Sequence, residues 1–251
     1  MTATTDRVAR AFARGLASYD RAALVQRRIA TRLFAGYRAI APGHRPGRIL
    51  EAGFGSGHLT RHLLELDPER LWLNDLVARP LPGVAAEYLP GDIAQVPLPG
   101  RIDLAASASM IQWVEDPRKT VERLCRTVIP GGYLALSGFT PEHFPELRSL
   151  GSRAAAPSCL SAGGMAALLP TGWRVRNGGE WRATLHFPTA LAVLQHLRAT
   201  GVNARAGQFR SAAALRGFTQ RYETRHGTAQ GVPLTYVASW LIAENVLKPE
   251  V

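Results

Sequence analysis

The chain contains little cysteine and no long apolar run. Its 251 residues include only Cys125 and Cys159, in neither a Cys-x-x-Cys pair nor a Cys/His cluster. This argues against a disulfide framework and gives no zinc-binding pattern, so we expect no bound metal. No stretch approaches the roughly 20 uncharged apolar residues of a membrane span. We therefore predict a cytoplasmic protein without a membrane span.

Lysine is also scarce, although the chain is strongly basic. It has 28 Arg, 2 Lys and a formal net charge of +11. Basic surfaces attract phosphates, but an arginine excess without lysine is equally typical of a coding bias, so we predict no nucleic-acid partner. Residues 1–48 hold ten Arg against Asp6 and Asp20. That imbalance predicts a basic face suited to an acidic protein partner.

Apolar periodicity predicts an α/β fold. From Val8 to Ile40 the apolar positions advance mainly by three or four, which indicates helices with a break near Gly15. Short apolar runs then alternate with helical segments, and this predicts parallel strands joined by right-handed crossovers. The predicted strands are 48–52, 71–75, 85–89, 102–107 and 132–137, and the predicted helices are 59–66, 76–84, a segment near 96, and 117–128.

The last part of the chain follows a different pattern. Strand-like residues 173–177 and 180–187 flank Asn177-Gly178-Gly179, which predicts either a hairpin turn or a bulge in one long strand. Residues 188–200 and 211–226 are predicted helices, and 234–243 is a predicted buried strand. We predict one domain over 1–251, with a helical cap (1–44), a core (48–187), a helical lid (188–228) and a last strand with a tail (229–251).

Three alternate glycines join the first predicted strand to a helix. Gly53, Gly55 and Gly57 permit positive φ and let a ligand approach the backbone closely. A dinucleotide-binding fingerprint would need glycine at position 58, where the chain has His58, so NAD is disfavoured. Alternatively, the glycines serve only the strand-to-helix turn.

Acidic residues accompany this glycine loop. Asp75 ends the second predicted strand and could accept hydrogen bonds from both hydroxyls of a ribose, or cap a following helix. Asp92 follows the third strand and could accept from an adenine amino group while Ile93 packs on the ring, or it could simply form a turn. Glu51, two residues before Gly53, suits a ligand with an ammonium or sulfonium group.

These residues resemble, in order and spacing, the motifs of class I S-adenosylmethionine-dependent methyltransferases. The matching segments are Glu51-Ala-Gly53-Phe-Gly55-Ser-Gly57, Asp75, Gly91-Asp92 and residues 101–107. The resemblance implies a Rossmann-like fold with a seven-stranded, mostly parallel sheet, helices on both faces, an N-terminal helical cap and a helical insertion before the last strand. It implies S-adenosylmethionine as cofactor and S-adenosylhomocysteine as product. The implied cofactor contacts are Gln26, Glu51, Gly53, Gly55, Gly57, Asp75, Leu76, Asp92, Ile93 and Ser107.

A narrower resemblance covers nearly the whole chain. Residues 11–20, 110–113, 132–139, 146–148, 197–201 and 233–236 resemble malonyl-[acyl-carrier protein] O-methyltransferases of biotin synthesis, whereas residues 156–160 depart from that pattern. The resemblance implies methyl transfer to the free carboxylate of malonyl-acyl-carrier protein or malonyl-CoA. Another small carboxylate as acceptor, or cofactor binding without turnover, are the alternatives.

The chemistry needs no general base, because a carboxylate with a pKa of about 4 is ionised at neutral pH. What the protein must supply is alignment of the two reactants. We predict Tyr19, Gln112 and Trp113 at the reacting methyl group. Alternatively, Tyr19 continues the apolar stripe of Phe12 and Leu16, and Trp113 packs against the lid. The candidates for holding the carboxylate or the acyl chain are Arg14, Arg148, Arg198 and Tyr236.

Overall fold

The computed structural model describes residues 22–77, 79–152, 156–200, 209 and 211–247. Its strands are β1 (Arg48–Ala52), β2 (Arg70–Asp75), β3 (Glu87–Pro90), β4 (Ile102–Ala108), β5 (Val128–Phe139), β6 (Trp173–Phe187) and β7 (Val232–Asn245). Its helices are α1 (Leu24–Ile40), α2 (Thr60–Leu64), α3 (Pro117–Thr127), α4 (Pro145–Ser149), α5 (Ala162–Ala166), α6 (Ala190–Ala199) and α7 (Ala212–His226), with a 3₁₀ turn at Ile111–Trp113. Tyr19 and Arg14, in the predicted cap, lie outside the described residues.

One seven-stranded sheet organises these elements, in the order β3-β2-β1-β4-β5-β7-β6. The first five strands pair in parallel, and β7 runs antiparallel to both β5 and β6. The chain leaves β1 toward β2 on one side and reaches β4 on the other. Such a reversal of strand order opens a crevice at the carboxyl ends of the strands. The predicted seven-stranded, mostly parallel sheet is confirmed.

Apolar layers cover both faces of the sheet. Ile49 and Leu50 are adjacent in β1 and fully buried, but they belong to separate core clusters because successive strand residues point to opposite faces. Leu33 of α1 packs in the first cluster and Leu124 of α3 in the second. Burial on both faces explains why the central strands are continuous apolar runs in the sequence.

The helical insertion forms a third cluster beside the sheet. Val193 of α6 and Tyr222 of α7 pack with Leu234 of β7, and α1 contributes Val25 and Ile29 to the same cluster. In the chain, α6 and α7 lie between β6 and β7, as predicted. The shared cluster also joins the insertion to the helix that precedes β1.

Three expectations about local structure are corrected or decided by the structure. Residues 79–84 form no helix, because Pro80 and Pro82 lack backbone donors and Gly83 has φ +73°. The segment near 96 forms turns, where a helix was predicted.

Residues 173–187 form one long strand whose register shifts between Val175 and Asn177. Of the two alternatives for Asn177-Gly178-Gly179, the structure therefore shows the bulge and not the hairpin. Helices α4 and α5 were not predicted.

No helix among the described residues combines the length and the apolar character needed to cross a membrane. The same part of the chain contains no group of three or more His, Cys, Asp or Glu side chains placed to hold a metal ion.

The central strands should carry much of the stability. Leu73 in β2 is fully buried, so Leu73→Ala should lower the free energy of unfolding by about 2–5 kcal/mol through a lost side chain and a cavity. Leu64 is 38% exposed at the end of α2, and Leu64→Ala should cost well under about 1 kcal/mol. Urea denaturation of both variants checks this. Equal losses would contradict the assigned packing.

Candidate functional site

A cleft of about 250 Å³ lies at the carboxyl ends of the parallel strands. Loops that follow β1, β2, β3 and β4 form most of its wall, and α1 contributes Gln26 and Ala30. It therefore occupies the crevice that the strand order creates. The charged side chains among the described lining residues include the carboxyl groups of Glu51, Asp75 and Asp92, but no lysine or arginine.

The glycine loop is hydrogen-bonded to the end of β2. The amides of Gly53 and Phe54 both donate to the carbonyl of Asn74, at 2.8 and 3.2 Å. The amide of Gly55 donates to Oδ2 of Asp75 at 2.9 Å. The last two residues of β2 thus fix the path of the loop that enters the cleft.

The three glycines are required for different reasons, although all have positive φ. A Cβ on Gly53 would lie 2.4 Å from Cγ of Met110, so the loop after β4 leaves no room for it. A Cβ on Gly57 would lie 2.7 Å from Cδ1 of Leu81. At Gly55 the space is open, and the requirement is its φ of +53°. Gly53 and Gly55 line the cleft, whereas Gly57 lies in the same loop but is not among the described lining residues.

Glu51 is a buried acid in the floor of the cleft. Its side chain is 1% exposed, and Oγ1 of Thr60 donates to its Oε2 at 2.6 Å. Burial raises the pKa of Glu51 to about 8; the bond from Thr60 opposes this, and the charge of Asp75 adds to it. In the ligand-free protein the carboxyl group is therefore mainly protonated at neutral pH.

Asp75 and Asp92 hold turns and line the cleft as well. Oδ1 of Asp75 accepts from the amide of Val77 at 2.9 Å, and Oδ1 of Asp92 accepts from the amide of Ala94 at 2.9 Å. Burial raises the pKa of Asp75, while the amides of Val77 and Gly55 oppose that rise. The turn role considered for Asp92 is confirmed, and it leaves the other carboxylate oxygen for a ligand. No described helix follows Asp75 for it to cap.

Arg123, which was not predicted, anchors the loop that carries Asp92. From α3 its Nε donates to the carbonyl of Ile93 at 3.1 Å, and its Nη2 donates to the carbonyl of Val96. Ile93 is 4% exposed and faces the cleft. No sequence pattern singles out this arginine among 28, because its role depends on how α3 packs against the loop.

The structure brings together about half of the predicted site residues. Those that line the cleft are Gln26, Glu51, Gly53, Gly55, Asp75, Leu76, Asp92, Ile93 and Trp113. Those outside the described lining are Gly57, Ser107, Gln112, Arg148, Arg198 and Tyr236. Phe54, His58, Ser109 and Met110 also line it and were missed. Their signal was positional, since each lies in a loop directly after a predicted strand.

The residues outside the lining have identifiable surroundings. Ser107 is fully buried within β4, and Arg198 is exposed at the end of α6. Nη1 of Arg148 donates to the carbonyl of Pro141. The hydroxyl of Tyr236 lies 2.6 Å from Nε2 of His196 between the sheet and α6. Their roles in substrate binding stay predictions.

Gln112 lies just behind the cleft. Its side chain is 1% exposed, and its Nε2 donates to the carbonyl of Ser109 at 2.6 Å. Ser109 itself has φ +59°, and its amide donates to the carbonyl of Ser137 at 3.0 Å. Gln112 is thus linked to the cleft through Ser109.

Comparison with known proteins agrees with this geometry. A family model described as "Methyltransferase domain" matches residues 50–136, which include the end of β1, the glycine loop, Asp75 and Asp92. Fold and cleft together define a class I S-adenosylmethionine-dependent methyltransferase.

The whole chain also resembles curated relatives. Malonyl-[acyl-carrier protein] O-methyltransferase of Prosthecochloris aestuarii is 34% identical over 237 residues, covering 90% of this chain and 88% of the relative. The protein of the same name from Chlorobium luteolum is 33% identical over 250 residues and covers 94% of both chains. The chain belongs to the malonyl-[acyl-carrier protein] O-methyltransferase family.

Solved structures show the same fold at low sequence identity. A Bacillus halodurans protein regarded as a methyltransferase has a TM-score of 0.62 and 15% identity, covering 85% of this chain and 99% of that one. The [4+2]-cyclase SpnF has a TM-score of 0.52 and 15% identity, covering 86% of this chain and 81% of its own. Because a cyclase shares it, the fold alone does not determine the reaction.

The glycine loop should not tolerate a side chain at position 57. Gly57→Ala forces a residue with Cβ into φ +80° and against Leu81, so we expect the unfolding free energy to fall by about 1–3 kcal/mol and cofactor affinity to weaken. Gly43→Ala is the control, because nothing lies within 4 Å of a Cβ there. Thermal unfolding and calorimetric titration test both variants. A Gly57→Ala protein that matches the control would contradict the loop geometry.

Proposed function

We propose that this chain transfers a methyl group from S-adenosylmethionine to the free carboxylate of a malonyl thioester, forming a methyl ester that starts the pimeloyl chain of biotin. The thioester is carried by acyl-carrier protein or by CoA. The observation that carries the proposal is a cleft with several acids and, among the described residues, no basic wall, in a chain similar over about nine-tenths of its length to relatives named for this acceptor.

The residues of the cleft fit S-adenosylmethionine. Glu51, which would ionise beside a bound cation, and the bare backbone at Gly53 and Gly55 offer a close-fitting site to its methionyl end. Asp75, Asp92 and Ile93 also line the cleft. In this proposal Asp75 accepts hydrogen bonds from the ribose hydroxyls, Asp92 accepts one from the adenine amino group, and Ile93 packs on the ring. When bound, the cofactor supplies an electrophilic methyl group on a positively charged sulfur.

The protein's task in this reaction is placement. The acceptor carboxylate is already ionised at neutral pH, so no residue needs to remove a proton. Phe54, Met110 and Trp113 give the cleft apolar walls, and aromatic faces attract a sulfonium. Holding both reactants in line in such a site lowers the barrier by about 7–11 kcal/mol relative to free encounter.

The basic surface of the chain favours an acidic carrier. Arg28 is exposed on α1, two residues after the cleft residue Gln26, and Arg32 lies with its guanidinium 4.7 Å from the ring centroid of Trp181. Exposed arginines on the helix that contributes to the cleft would attract and orient an acidic partner. The cytoplasmic location stays a prediction from the sequence.

A methylation assay tests the activity. The purified chain is mixed with methyl-labelled S-adenosylmethionine and malonyl-acyl-carrier protein, with malonyl-CoA and acetyl-acyl-carrier protein in parallel. We expect a base-labile labelled ester on the malonyl substrates and none on acetyl, which has no free carboxylate. Labelling of free small acids instead would favour another carboxylate acceptor. Cofactor binding without any labelled acid would favour a protein without turnover.

Cofactor binding should release a proton from Glu51. Its pKa of about 8 must fall beside an ammonium or sulfonium group, so affinity should rise with pH below 8 by up to about tenfold per unit and level off above it. Calorimetry at pH 7 in buffers of different ionisation enthalpy counts that proton. Glu51→Gln should bind the cofactor more weakly and release fewer protons on binding. An unchanged proton count in this variant would contradict the assignment.

A further inference from the structure

The described cleft lacks the basic side chains that would ordinarily hold an acceptor carboxylate. Arg148 and Arg198 do not line it, and no other described arginine or lysine does. A carboxylate in a site that excludes water must still receive hydrogen bonds, because burying it unpaired is costly. Neutral donors must therefore contribute along the described wall.

Ser109 is such a donor, and no group among the described residues forms a hydrogen bond with its hydroxyl. It lines the cleft, and its hydroxyl oxygen is buried without a hydrogen-bond partner. Buried hydroxyls are nearly always satisfied, so an unpaired one in a cleft indicates a ligand. Ser109 lies where β4 ends beside β5, whereas Asp75 and Asp92 follow β2 and β3 on the other side of β1. It is thus on the side away from the proposed adenosine contacts.

The backbone of Ser109 is held from both sides. Its amide donates to the carbonyl of Ser137, and its own carbonyl accepts from Nε2 of Gln112. These bonds keep a serine at φ +59°, a backbone conformation that residues other than glycine and asparagine rarely adopt. A strained residue held by buried neighbours next to a cleft is characteristic of functional sites.

We propose that Ser109 binds the acceptor carboxylate through its hydroxyl and that Gln112 is a positioning residue acting through Ser109. This inference rests on the proposed function and names part of its acceptor site. One carboxylate oxygen accepts from the Ser109 hydroxyl, which keeps its proton. The other oxygen attacks the methyl carbon, a C–O bond forms, the C–S bond breaks, and its electron pair stays on sulfur.

The test compares hydroxyl-removing variants with a matched control. Ser109→Ala and Ser109→Gly both delete the hydroxyl, and glycine also removes the conformational strain, so agreement between them excludes a folding defect. Ser137→Ala is the control, because its hydroxyl is equally buried and unpaired but does not line the cleft. Steady-state kinetics with malonyl-acyl-carrier protein and calorimetry with S-adenosylhomocysteine are measured on each.

We expect both Ser109 variants to lose about 10- to 100-fold in kcat/KM for the malonyl substrate, the usual effect of one hydrogen bond to a charge. Their affinity for S-adenosylhomocysteine and all properties of Ser137→Ala should stay near wild type. Gln112→Met should lower kcat/KM as well. Because Gln112 acts through Ser109, the same change in Ser109→Gly should cost little more.

Two results would overturn the inference. One is wild-type kcat/KM in both Ser109 variants, and the other is an equal loss of S-adenosylhomocysteine affinity, which would assign the hydroxyl to the cofactor. Wild-type protein is assayed first. If it binds S-adenosylhomocysteine yet methylates no malonyl substrate, the proposed function itself fails and the Ser109 assignment fails with it.

Discussion

The attachment of the glycine loop to the end of β2 is the constraint on which the cleft depends. Asn74 and Asp75 accept hydrogen bonds from the amides of Gly53, Phe54 and Gly55. These bonds hold the turn after β1 against the end of β2. Positive φ values at the glycines are strained for residues with side chains, and the packing of Met110 and Leu81 leaves no space for a side chain at Gly53 and Gly57. The floor of the cleft therefore follows from backbone geometry before any ligand contact is considered.

The charges of the cleft favour a cationic ligand. Glu51, Asp75 and Asp92 come from the ends of β1, β2 and β3 and make that part suitable for a cationic nucleoside. The segment after β4 contributes the neutral residues Ser109, Met110 and Trp113, followed by the acids Glu115 and Asp116. An anionic acceptor would be attracted to a cation bound there, and methyl transfer to a carboxylate removes both charges.

Local sequence patterns were sufficient for much of the fold. The bounds of β1 were predicted in full, and the glycine loop and Asp75 were found because strand ends and turn chemistry are short-range properties. The prediction of a helix at 76–84 was wrong, because its apolar spacing is typical of a helix but Pro80 and Pro82 disfavour one. The sequence assigned no role to Ser109 or Arg123, and Gln112, which was predicted at the reacting methyl group, lies outside the described lining. Their functions depend on hydrogen bonds to residues of other elements, and these exist only once the sheet and α3 have packed.

Hydrogen–deuterium exchange of the chain with and without S-adenosylhomocysteine examines the site most directly, because it reads the backbone of every loop at once. We predict protection on binding in residues 53–59, 75–77 and 91–95, with smaller change in α7, which contributes nothing to the described cleft lining. Saturating ligand that leaves those three loops unprotected, or that protects another surface instead, would show that the cofactor does not bind where the glycine loop and its acids place it.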